Sequence, residues 1–415
     1  MAIVRPFRAV RPAKAYADQV ISLPYDVMNR KEAAKIAEGN PYSFLHICRS
    51  EIDLPDEVDP YSEQVYARAR KNIDNYLANE ILIRDDKPML YIYKQVMDGR
   101  AQVGIVGCVS IDEYLNDTIK KHEFTRVEKE LDRINHFDYC NANTEPVFLT
   151  YRDDRRLRML IEGWMNCHAA EYDFVTKDRI GHALWAIGDE GMIRSLTSLF
   201  GEIDAFYIAD GHHRSASAVK VGLKRREEHP GYTGEEEFNF FMAVIFPDAD
   251  LKIFDYNRVV KDLNGLSSEE FLRKTAEKFI IEPADPGNGP YRPEAKHTFG
   301  MYLEGRWYKL TAKPEILCDD DVVKGLDVSI LQEHLLRPIL AIENPRTDKR
   351  IDFVGGIRGL GELEHRADSD MKVAFALYPV SISDLLAVAD KGMVMPPKST
   401  WFEPKLGSGL FMHEL

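Results

Sequence analysis

The chain has 415 residues, of which 68 are acidic and 54 basic, so its formal net charge is −14. With 45% hydrophobic and 29% charged residues it can bury a large core, which excludes a disordered chain, a collagen-like fibre and a small disulfide-stabilised protein. The length predicts two or three packed domains, and the acidic balance disfavours nucleic acid and anionic membranes as partners.

Short β-rich segments alternate with amphipathic helices along the chain, which predicts a mixed α/β or α+β fold. The first helix has its capping signal at Asn29 with Glu32. Two strands follow, Met89–Val96 and Gln102–Ile111, and the Asp98-Gly99 pair between them is a strong hairpin signal. We expect an N-terminal α/β region over residues 1–118.

A central region is predicted over residues 119–260, and a C-terminal α/β region with a docked tail over 261–415. The central region contains two predicted strands, Asp204–Ala209 and Phe238–Phe246, on either side of a helix rich in small residues. In the C-terminal region, a hairpin is predicted around Glu304-Gly305 and a helix from Asp327 through Leu336.

The cysteines are scattered, without a C-x-x-C pair or the spacing of a zinc site. The chain shows no signal-peptide pattern and no apolar run of about 18 residues. These features predict a cytoplasmic protein that does not enter the membrane. The cysteines are Cys48, Cys108, Cys140, Cys167 and Cys318.

The segment Asp210–Arg214, with the sequence DGHHR, is the densest group of chemically active side chains. It lies between an apolar strand and a helix, where backbone N–H groups and the positive end of the helix dipole converge. Gly211 lets a ligand approach the backbone, Arg214 can donate two hydrogen bonds to phosphate oxygens, and Ser215 adds a hydroxyl donor. The pattern predicts a phosphate-binding turn.

A structural role is the alternative: Asp210 would only cap the helix, with His212 and His213 on the surface. The clustering of an acid, two histidines and an arginine favours a functional site over this alternative. A metal site is disfavoured, because adjacent side chains on a helix point about 100° apart.

The DGHHR segment resembles the signature of the ParB/sulfiredoxin-like superfamily, and the free serine kinases of that superfamily carry a very similar motif. Over nearly its whole length the chain also resembles the DUF1015 family. The matching segments are RPFRAVRP near the N-terminus, Leu23–Val27, Asn40–His46, Ile119–Thr125, Lys129–Arg133, Asn141–Phe148, Asp210–Arg214 and the tail MPPKSTWFEPKLGSGLF.

The resemblance implies an α/β fold of mixed α+β type, with a ParB/sulfiredoxin-like nucleotide-binding core extended at both ends. It also implies ADP or ATP as the nucleotide, accompanied by Mg²⁺. His212 stands where sulfiredoxins carry their catalytic cysteine, which excludes sulfinic-acid reduction through that residue. No basic helix-turn-helix accompanies the core, so DNA is disfavoured as a partner.

A second polar group comprises His122, Glu123 and Thr125. His122-Glu123 begins like the zinc motif H-E-x-x-H, but Arg126 occupies the last position, so the zinc interpretation fails. A solvated helix face is the structural alternative for the residues that follow. The resemblance to the free serine kinases, which have a glutamate ahead of their DGHHR-like motif, implies that Glu123 is the base that takes the acceptor proton.

Four further residues are candidates for a substrate pocket. Glu145, in a segment that otherwise predicts a structured turn, could hold Mg²⁺ or a substrate amine. In the tail, Lys398, Thr400 and Lys405 could complete a phosphate or carboxylate pocket. The alternative for the tail is structural closure of the C-terminal region, because its aromatic rings would dock.

These observations predict a nucleotide-dependent phosphotransferase acting on a small hydroxylated metabolite, with a serine-like amino acid as the first candidate. Asp210 would orient Mg²⁺ or the acceptor, and His213 would stabilise the transferring group. Two alternatives stay open: a nucleotide-controlled switch that dimerises without phosphotransfer, and a hydrolase of a phosphorylated metabolite. The residues predicted to hold the nucleotide phosphates are Gly211, His212, Arg214 and Ser215.

Overall fold

The structure, a computed structural model, describes residues 2–285, 287, 289–318 and 320–415. It has a mixed α+β architecture, which confirms the predicted fold class. The chain divides into two compact units. Unit 1 comprises the chain up to Lys121, Thr125–Leu251 and Pro404–Leu415, and unit 2 comprises His122–Phe124 and Lys252–Glu403.

The α-helices lie in both units, and the longest are in unit 1. They are α1 (Ala17–Val20), α2 (Arg30–Ala37), α3 (Leu45–Cys48), α4 (Glu63–Ala78), α5 (Ile111–Leu115), α6 (Val127–Cys140), α7 (Arg155–Cys167), α8 (Glu190–Phe200), α9 (His212–Glu228), α10 (Ser268–Thr275), α11 (Asp327–Leu331), α12 (Gly361–Ser369) and α13 (Ile382–Asp390). Among the described residues, no helix combines the length and apolarity that crossing a bilayer requires.

The strands are mostly short and are joined in four sheets. They are β1 (Ala9–Pro12), β2 (Leu82–Arg84), β3 (Leu90–Met97), β4 (Arg100–Ser110), β5 (Ile119–Lys120), β6 (Ala142–Asn143), β7 (Val147–Tyr151), β8 (Tyr172–Val175), β9 (Gly181–Ile187), β10 (Phe206–Asp210), β11 (Phe240–Pro247), β12 (Ile253–Phe254), β13 (Tyr256–Val260), β14 (Phe279–Pro283), β15 (Thr298–Leu303), β16 (Arg306–Ala312), β17 (Ile351–Gly355), β18 (Val373–Leu377), β19 (Trp401–Phe402) and β20 (Met412–Glu414).

Unit 1 is built on an eight-stranded mixed sheet in the order β5-β10-β7-β11-β4-β3-β9-β8. A second sheet of this unit, β2-β1-β20-β6, pairs the last strand of the chain with the first. Unit 2 contains a six-stranded sheet, β14-β16-β15-β18-β13-β17, and the strand pair β12-β19. At the centre of unit 1, β11 is buried along its whole length, as its continuous apolar sequence predicted.

Most local predictions follow from caps and turns and are confirmed. Asn29 and Glu32 form a complete capping box at the start of α2. Asp98 and Gly99 join β3 to β4 with φ values of 51° and 77°, as a type I′ hairpin turn requires. The range predicted as a helix from Asp327 through Leu336 is helical throughout but changes type: α11 ends at Leu331 and a π-helical turn spans Gln332–Leu336.

The helix that follows the DGHHR turn packs closely because its buried face carries small side chains. Along α9, Ser215, Ala218 and Gly222 are among the buried residues. The Ser217 hydroxyl donates to the backbone carbonyl of Glu130 in α6, over 2.9 Å. Bulkier residues at these positions would hold α9 away from its neighbours.

Gly222→Ala is expected to lower the unfolding free energy by about 1–3 kcal/mol, because overpacking forces backbone shifts. A Cβ atom at Gly222 would lie 2.4 Å from the carbonyl oxygen of Phe238. The matched control is Gly163→Ala, in the exposed part of α7, where a Cβ atom meets nothing within 4 Å. That control should raise the unfolding free energy by about 0.5–1 kcal/mol. Urea denaturation measures both, and equal effects would contradict the close packing of α9.

Candidate functional site

The DGHHR turn connects β10 to α9 within unit 1. The pairing of β10 with β7 shifts register between Ile208 and Asp210, and such irregularities redirect the side chains at the end of a strand. Gly211 follows with φ 92° and ψ 33°, and α9 begins at His212. Among the described residues, no side chain caps the helix at Gly211. The N–H groups of the first turn of α9 are therefore the kind of donors that bind anions.

Two separate constraints require glycine at position 211. Its backbone conformation is left-handed, which side chains with a Cβ atom rarely adopt. In addition, a Cβ atom there would lie 3.0 Å from Nε of Arg214 and 3.2 Å from its Cζ. The guanidinium thus lies directly against the backbone of the turn.

Arg214 is one of the largest fully buried side chains, with 2% of its surface exposed. It donates from Nη1 to the carbonyl oxygen of Pro146 over 2.5 Å, and its Nη2 lies 3.8 Å from Oδ2 of Asp210. Its buried Nε has no hydrogen-bond partner among the described residues. A buried charged donor without an acceptor is costly, so the environment of this Nε favours an acceptor from a ligand or water.

Asp210 is held by the C-terminal tail. Its Oδ2 forms an ion pair with Nζ of Lys405 at 3.1 Å, and its Oδ1 accepts the backbone N–H of Gly211. Burial alone would raise the pKa of Asp210, but Lys405 and Arg214 reverse this effect and hold the pKa well below its usual range. The carboxylate is therefore ionised, and its charge is balanced before any ligand binds.

Two buried glutamines position Lys405, and our sequence analysis did not identify them. Gln95 of β3 and Gln102 of β4 face each other in the hairpin, and Nε2 of Gln102 donates to Oε1 of Gln95. Nε2 of Gln95 then donates to the backbone carbonyl of Lys405 over 2.8 Å. The available signal was a pair of amides at equal distances from the Asp98-Gly99 turn, in a hairpin whose other residues are mostly apolar.

Glu145 lies in a buried charged cluster of unit 1 rather than in a solvated loop. Its Oε1 accepts the Ser408 hydroxyl at 2.6 Å and the Tyr25 backbone N–H at 3.3 Å. Its Oε2 is 3.9 Å from Nη1 of Arg133, and neither atom has a hydrogen-bond partner among the described residues. Burial raises the pKa of Glu145, although Arg214 and Arg133 oppose this effect. Arg214 and Arg133 are therefore the positive charges that act on this buried carboxylate.

The remaining predicted residues of the turn face different surroundings. His212 is buried, and burial lowers its pKa to about 4, so the imidazole is neutral at pH 7. Nε2 of the half-buried His213 accepts the backbone N–H of Arg126 at 2.9 Å. The hydroxyl of Ser215 donates to backbone carbonyls of the helix itself, at Gly211 and His212.

The other predicted pocket residues are divided between the units. Thr125 is in unit 1, where its hydroxyl donates to Oε2 of Glu130 at 2.7 Å. His122, Glu123, Lys398 and Thr400 are in unit 2. There the Thr400 hydroxyl lies 3.5 Å from Nε2 of the buried His122. Lys405 belongs to unit 1 and not with Lys398 and Thr400.

Within the described residues, no group of three or more His, Cys, Asp or Glu side chains is arranged to hold a metal ion. Mg²⁺ in phosphotransfer sites is bound by one or two carboxylates together with the phosphates of the substrate, so such a group is not a requirement. Of the two carboxylates in this region, the half-buried Asp210 is engaged by Lys405. Oε2 of Glu145 faces Nη1 of Arg133 at 3.9 Å, so this carboxylate is also balanced by a cation of the chain.

The sequence model of the family described as "Protein of unknown function (DUF1015)" matches residues 4–329, more than three quarters of the chain. No curated protein matches the chain. Among solved structures, the chain is similar to a free serine kinase in complex with AMP, with 13% identity and a TM-score of 0.36 over 74% of this chain and 92% of that one.

Two further structures show a similar level of likeness. One is a conserved hypothetical protein from Pyrococcus furiosus, with 13% identity and a TM-score of 0.35 over 74% of this chain and 94% of that one. The other is SbnI with a C-terminal truncation from Staphylococcus aureus, with 12% identity and a TM-score of 0.39 over 74% of this chain and 87% of that one. At such low identities and TM-scores, the likeness carries no functional information.

Lys405→Met is expected to lower the unfolding free energy at pH 7 by about 2 kcal/mol, because it leaves the half-buried Asp210 carboxylate without its main counter-ion. The lowered pKa of Asp210 means that its ionised form stabilises the folded protein above the unfolded pKa, and this stabilisation is lost as the pH falls. In the variant the pKa of Asp210 rises. The difference in unfolding free energy between wild type and variant should therefore shrink as the pH is lowered towards about 4.

The control for this experiment is Lys177→Met, at an exposed lysine of unit 1. It should change the unfolding free energy by less than about 0.5 kcal/mol at either pH. Urea denaturation at pH 7 and pH 4 measures the effects. A deficit for Lys405→Met that is independent of pH would show that the lost stability comes from packing and not from the ion pair.

Proposed function

The chain belongs to the DUF1015 family, and we propose that its DGHHR turn binds the phosphate groups of ADP or ATP. In this proposal the protein transfers a phosphoryl group from the nucleotide to a small hydroxylated metabolite, with a serine-like amino acid as the first candidate. The observation that carries the proposal is the buried Arg214, whose Nε lacks an acceptor directly behind the uncapped start of α9.

The electrostatics of the turn support an anionic ligand. A carboxylate at the start of a helix would by itself repel phosphate, but Asp210 is neutralised by Lys405 at 3.1 Å and by Arg214 at 3.8 Å. The partial positive charge of the N-terminus of α9 is then available to a ligand. Gly211 has no Cβ atom, and the guanidinium of Arg214 occupies the space where one would lie, directly beside the turn. Phosphate oxygens would accept hydrogen bonds from the N–H groups of this first turn.

The reaction balances as a simple displacement at phosphorus. The hydroxyl oxygen of the acceptor forms a bond to the terminal phosphorus, and the bond from that phosphorus to the bridging oxygen breaks. The proton of the hydroxyl passes to a base, and the products are a phosphomonoester and a nucleotide shortened by one phosphate. Mg²⁺ would enter with the nucleotide and offset the charge of its phosphates.

His213 is suited to donate a hydrogen bond to the transferring group. Its Nε2 accepts the backbone N–H of Arg126, so in the neutral ring the proton lies on Nδ1. A ring held in one tautomer loses less freedom when it binds the transferring phosphoryl oxygens. Glu123 is assigned as the base only through the resemblance to the free serine kinases, and its role is tested separately below.

Arg214→Gln is expected to weaken binding of the preferred nucleotide by at least about 100-fold, because charge-assisted hydrogen bonds to phosphate are strong. Calorimetry with ADP, ATP, CTP and GTP in the presence of Mg²⁺ measures the affinity, and circular dichroism checks that the variant folds. His213→Ala is a second variant at a half-buried position, and Arg155→Gln, at an exposed residue of α7, is the matched control.

Three outcomes of this experiment bear on the proposal. Unchanged affinity in both Arg214→Gln and His213→Ala would overturn the phosphate-binding turn. Nucleotide-dependent dimerisation without turnover would support the switch, and release of phosphate from a phosphomonoester without nucleotide would support the hydrolase. A nucleotide at 100 times its Kd should add about 2.7 kcal/mol to the unfolding free energy of the wild type.

Glu123→Gln should reduce phosphoryl transfer to serine by about 10²–10⁴-fold while leaving the nucleotide Kd unchanged, because a general base acts in the transition state. ³¹P NMR of the phosphomonoester product measures the rate. The matched control is Glu128→Gln, at an exposed glutamate of α6, which should retain full activity. Equal rates in the two variants would remove Glu123 from the mechanism.

A further inference from the structure

Both ring nitrogens of His46 face hydrogen-bond acceptors. His46 lies in α3 and is half-buried. Its Nδ1 lies 2.6 Å from Oδ1 of Asp53, and its Nε2 lies 3.1 Å from the backbone carbonyl oxygen of Asn40. A carbonyl oxygen donates no hydrogen bond, and neither does an ionised carboxylate. The fold therefore presents two acceptors to one imidazole ring.

Only the protonated ring of His46 satisfies both contacts. A neutral imidazole carries one N–H group, whereas the imidazolium carries two. With the neutral ring, either the Asp53 carboxylate or the Asn40 carbonyl faces a nitrogen lone pair, and the hydrogen bond on that side is lost. Protonation of His46 thus converts an unfavourable contact into a hydrogen bond.

Asn72 of α4 holds the Asp53 carboxylate beside the ring. Its Nδ2 donates to Oδ2 of Asp53 over 2.8 Å and to the backbone carbonyl of His46 over 2.6 Å. Burial alone would raise the pKa of Asp53, but the hydrogen bonds from His46 and Asn72 hold that pKa below its usual value. The carboxylate is therefore ionised over the whole range in which a histidine titrates.

Asp53 is the main charge that acts on His46. The hydrogen bond to Asp53 raises the pKa of His46, and burial only partly opposes this effect. Burial raises the pKa values of the neighbouring Cys48 and Tyr76, which keeps both side chains neutral. The charged groups of the adjacent elements are Lys35 and Glu38 at the end of α2, the ion pair of Arg49 with Glu51 after α3, and Arg68 in α4. Those of α2 are exposed and opposite in sign, and Arg68 favours the ionised form of Asp53.

We infer that His46 is a pH-sensitive clamp, whose protonated ring ties the turn at Asn40 to Asp53 and whose neutral ring releases Asn40. The hydrogen bond to the carboxylate is charge-assisted and is the stronger of the two. The neutral ring therefore keeps its proton on Nδ1, towards Asp53. The contact with the Asn40 carbonyl is the one that is lost.

The direction of the pH dependence follows from the raised pKa of His46. The clamp contributes its full stabilisation below about pH 6.5, the pKa of a histidine in the unfolded chain. This stabilisation is lost as the pH rises through the higher pKa of His46 in the folded protein. The clamp is therefore released above pH 6.5 and not below it.

Release of the clamp loosens one wall of a groove of about 620 Å³. His46 and Asn40 line this groove together with residues of α2. Other hydrogen bonds keep the turn in place: Nδ2 of Asn40 donates to the carbonyl of Gln19 over 2.7 Å, and the Tyr76 hydroxyl donates to that of Pro41 over 2.8 Å. The opening is therefore local. It does not depend on nucleotide binding, since none of these residues belongs to the DGHHR turn.

Histidine-selective NMR of the full chain tests the clamp by titrating His46 directly, with the resonance assigned by its loss in His46→Gln. The pKa of His46 should lie above 6.5. In Asp53→Asn the pKa of His46 should fall, because an amide of nearly the same size leaves the ring without its counter-charge. A pKa of His46 at or below 6.5 in the wild type, or an unchanged pKa in Asp53→Asn, would overturn the inference.

Hydrogen exchange at the Ser43 amide, which donates to the Asn40 carbonyl over 3.2 Å, measures release of the turn. After correction for the intrinsic exchange rate, its protection should fall between about pH 6 and pH 9. The fall should be about tenfold for each pH unit by which the measured pKa of His46 exceeds 6.5.

Two variants separate the clamp from other effects of pH on exchange. In His46→Gln the protection of Ser43 should not change with pH, because the amide does not titrate. His365→Gln, at an exposed histidine of α12 in unit 2, is the matched control and should keep the pH dependence of the wild type. Protection of Ser43 that is independent of pH in the wild type, or that falls equally in His46→Gln, would contradict the clamp.

Discussion

The need to balance two carboxylates beside one turn, the buried Glu145 and the half-buried Asp210, constrains the architecture of unit 1. Asp210 and Glu145 are both removed from most of the solvent, and each needs a cation that its own segment of the chain does not supply in full. The counter-charges come from Arg133 in α6, Arg214 in α9 and Lys405 in the tail. These three segments, which are distant along the chain, must come together for unit 1 to fold, because the loss of any one cation leaves a carboxylate unbalanced.

This requirement explains the close packing around the turn. Arg214 can approach the backbone only because Gly211 lacks a Cβ atom, and α9 can lie close to its neighbours because Gly222 and Ser217 are small. The buried side-chain amide of Gln95 donates to the backbone carbonyl of Lys405 and so holds the part of the tail that pairs with Asp210. Side chains that seem unrelated in the chain thus serve one electrostatic arrangement, and a rigid arrangement of charges is what anion binding needs.

The buried arginines of the two units have different electrostatic surroundings. In unit 1, Arg214 has carboxylates close by, so its remaining unsatisfied donor is a local feature of a balanced cluster. In the described part of unit 2, Arg258 has only carbonyl groups and aromatic rings around it. The charges of the first arrangement are balanced within unit 1, whereas Arg258 has no carboxylate beside it among the described residues of unit 2.

Local signals in the sequence were enough to determine the mixed fold class, the capping box at Asn29, the hairpin at Asp98-Gly99 and the strand-turn-helix setting of DGHHR. Caps, turns and apolar periodicity act over a few residues, so they are readable without the fold. The partner of Asp210 was decided only by the tertiary structure. Lys405 lies almost two hundred residues away along the chain, and its pairing with Asp210 depends on how the sheets and the tail assemble. The lack of a counter-charge near Arg258 could not be predicted from the sequence either, because it depends on the three-dimensional surroundings of the side chain.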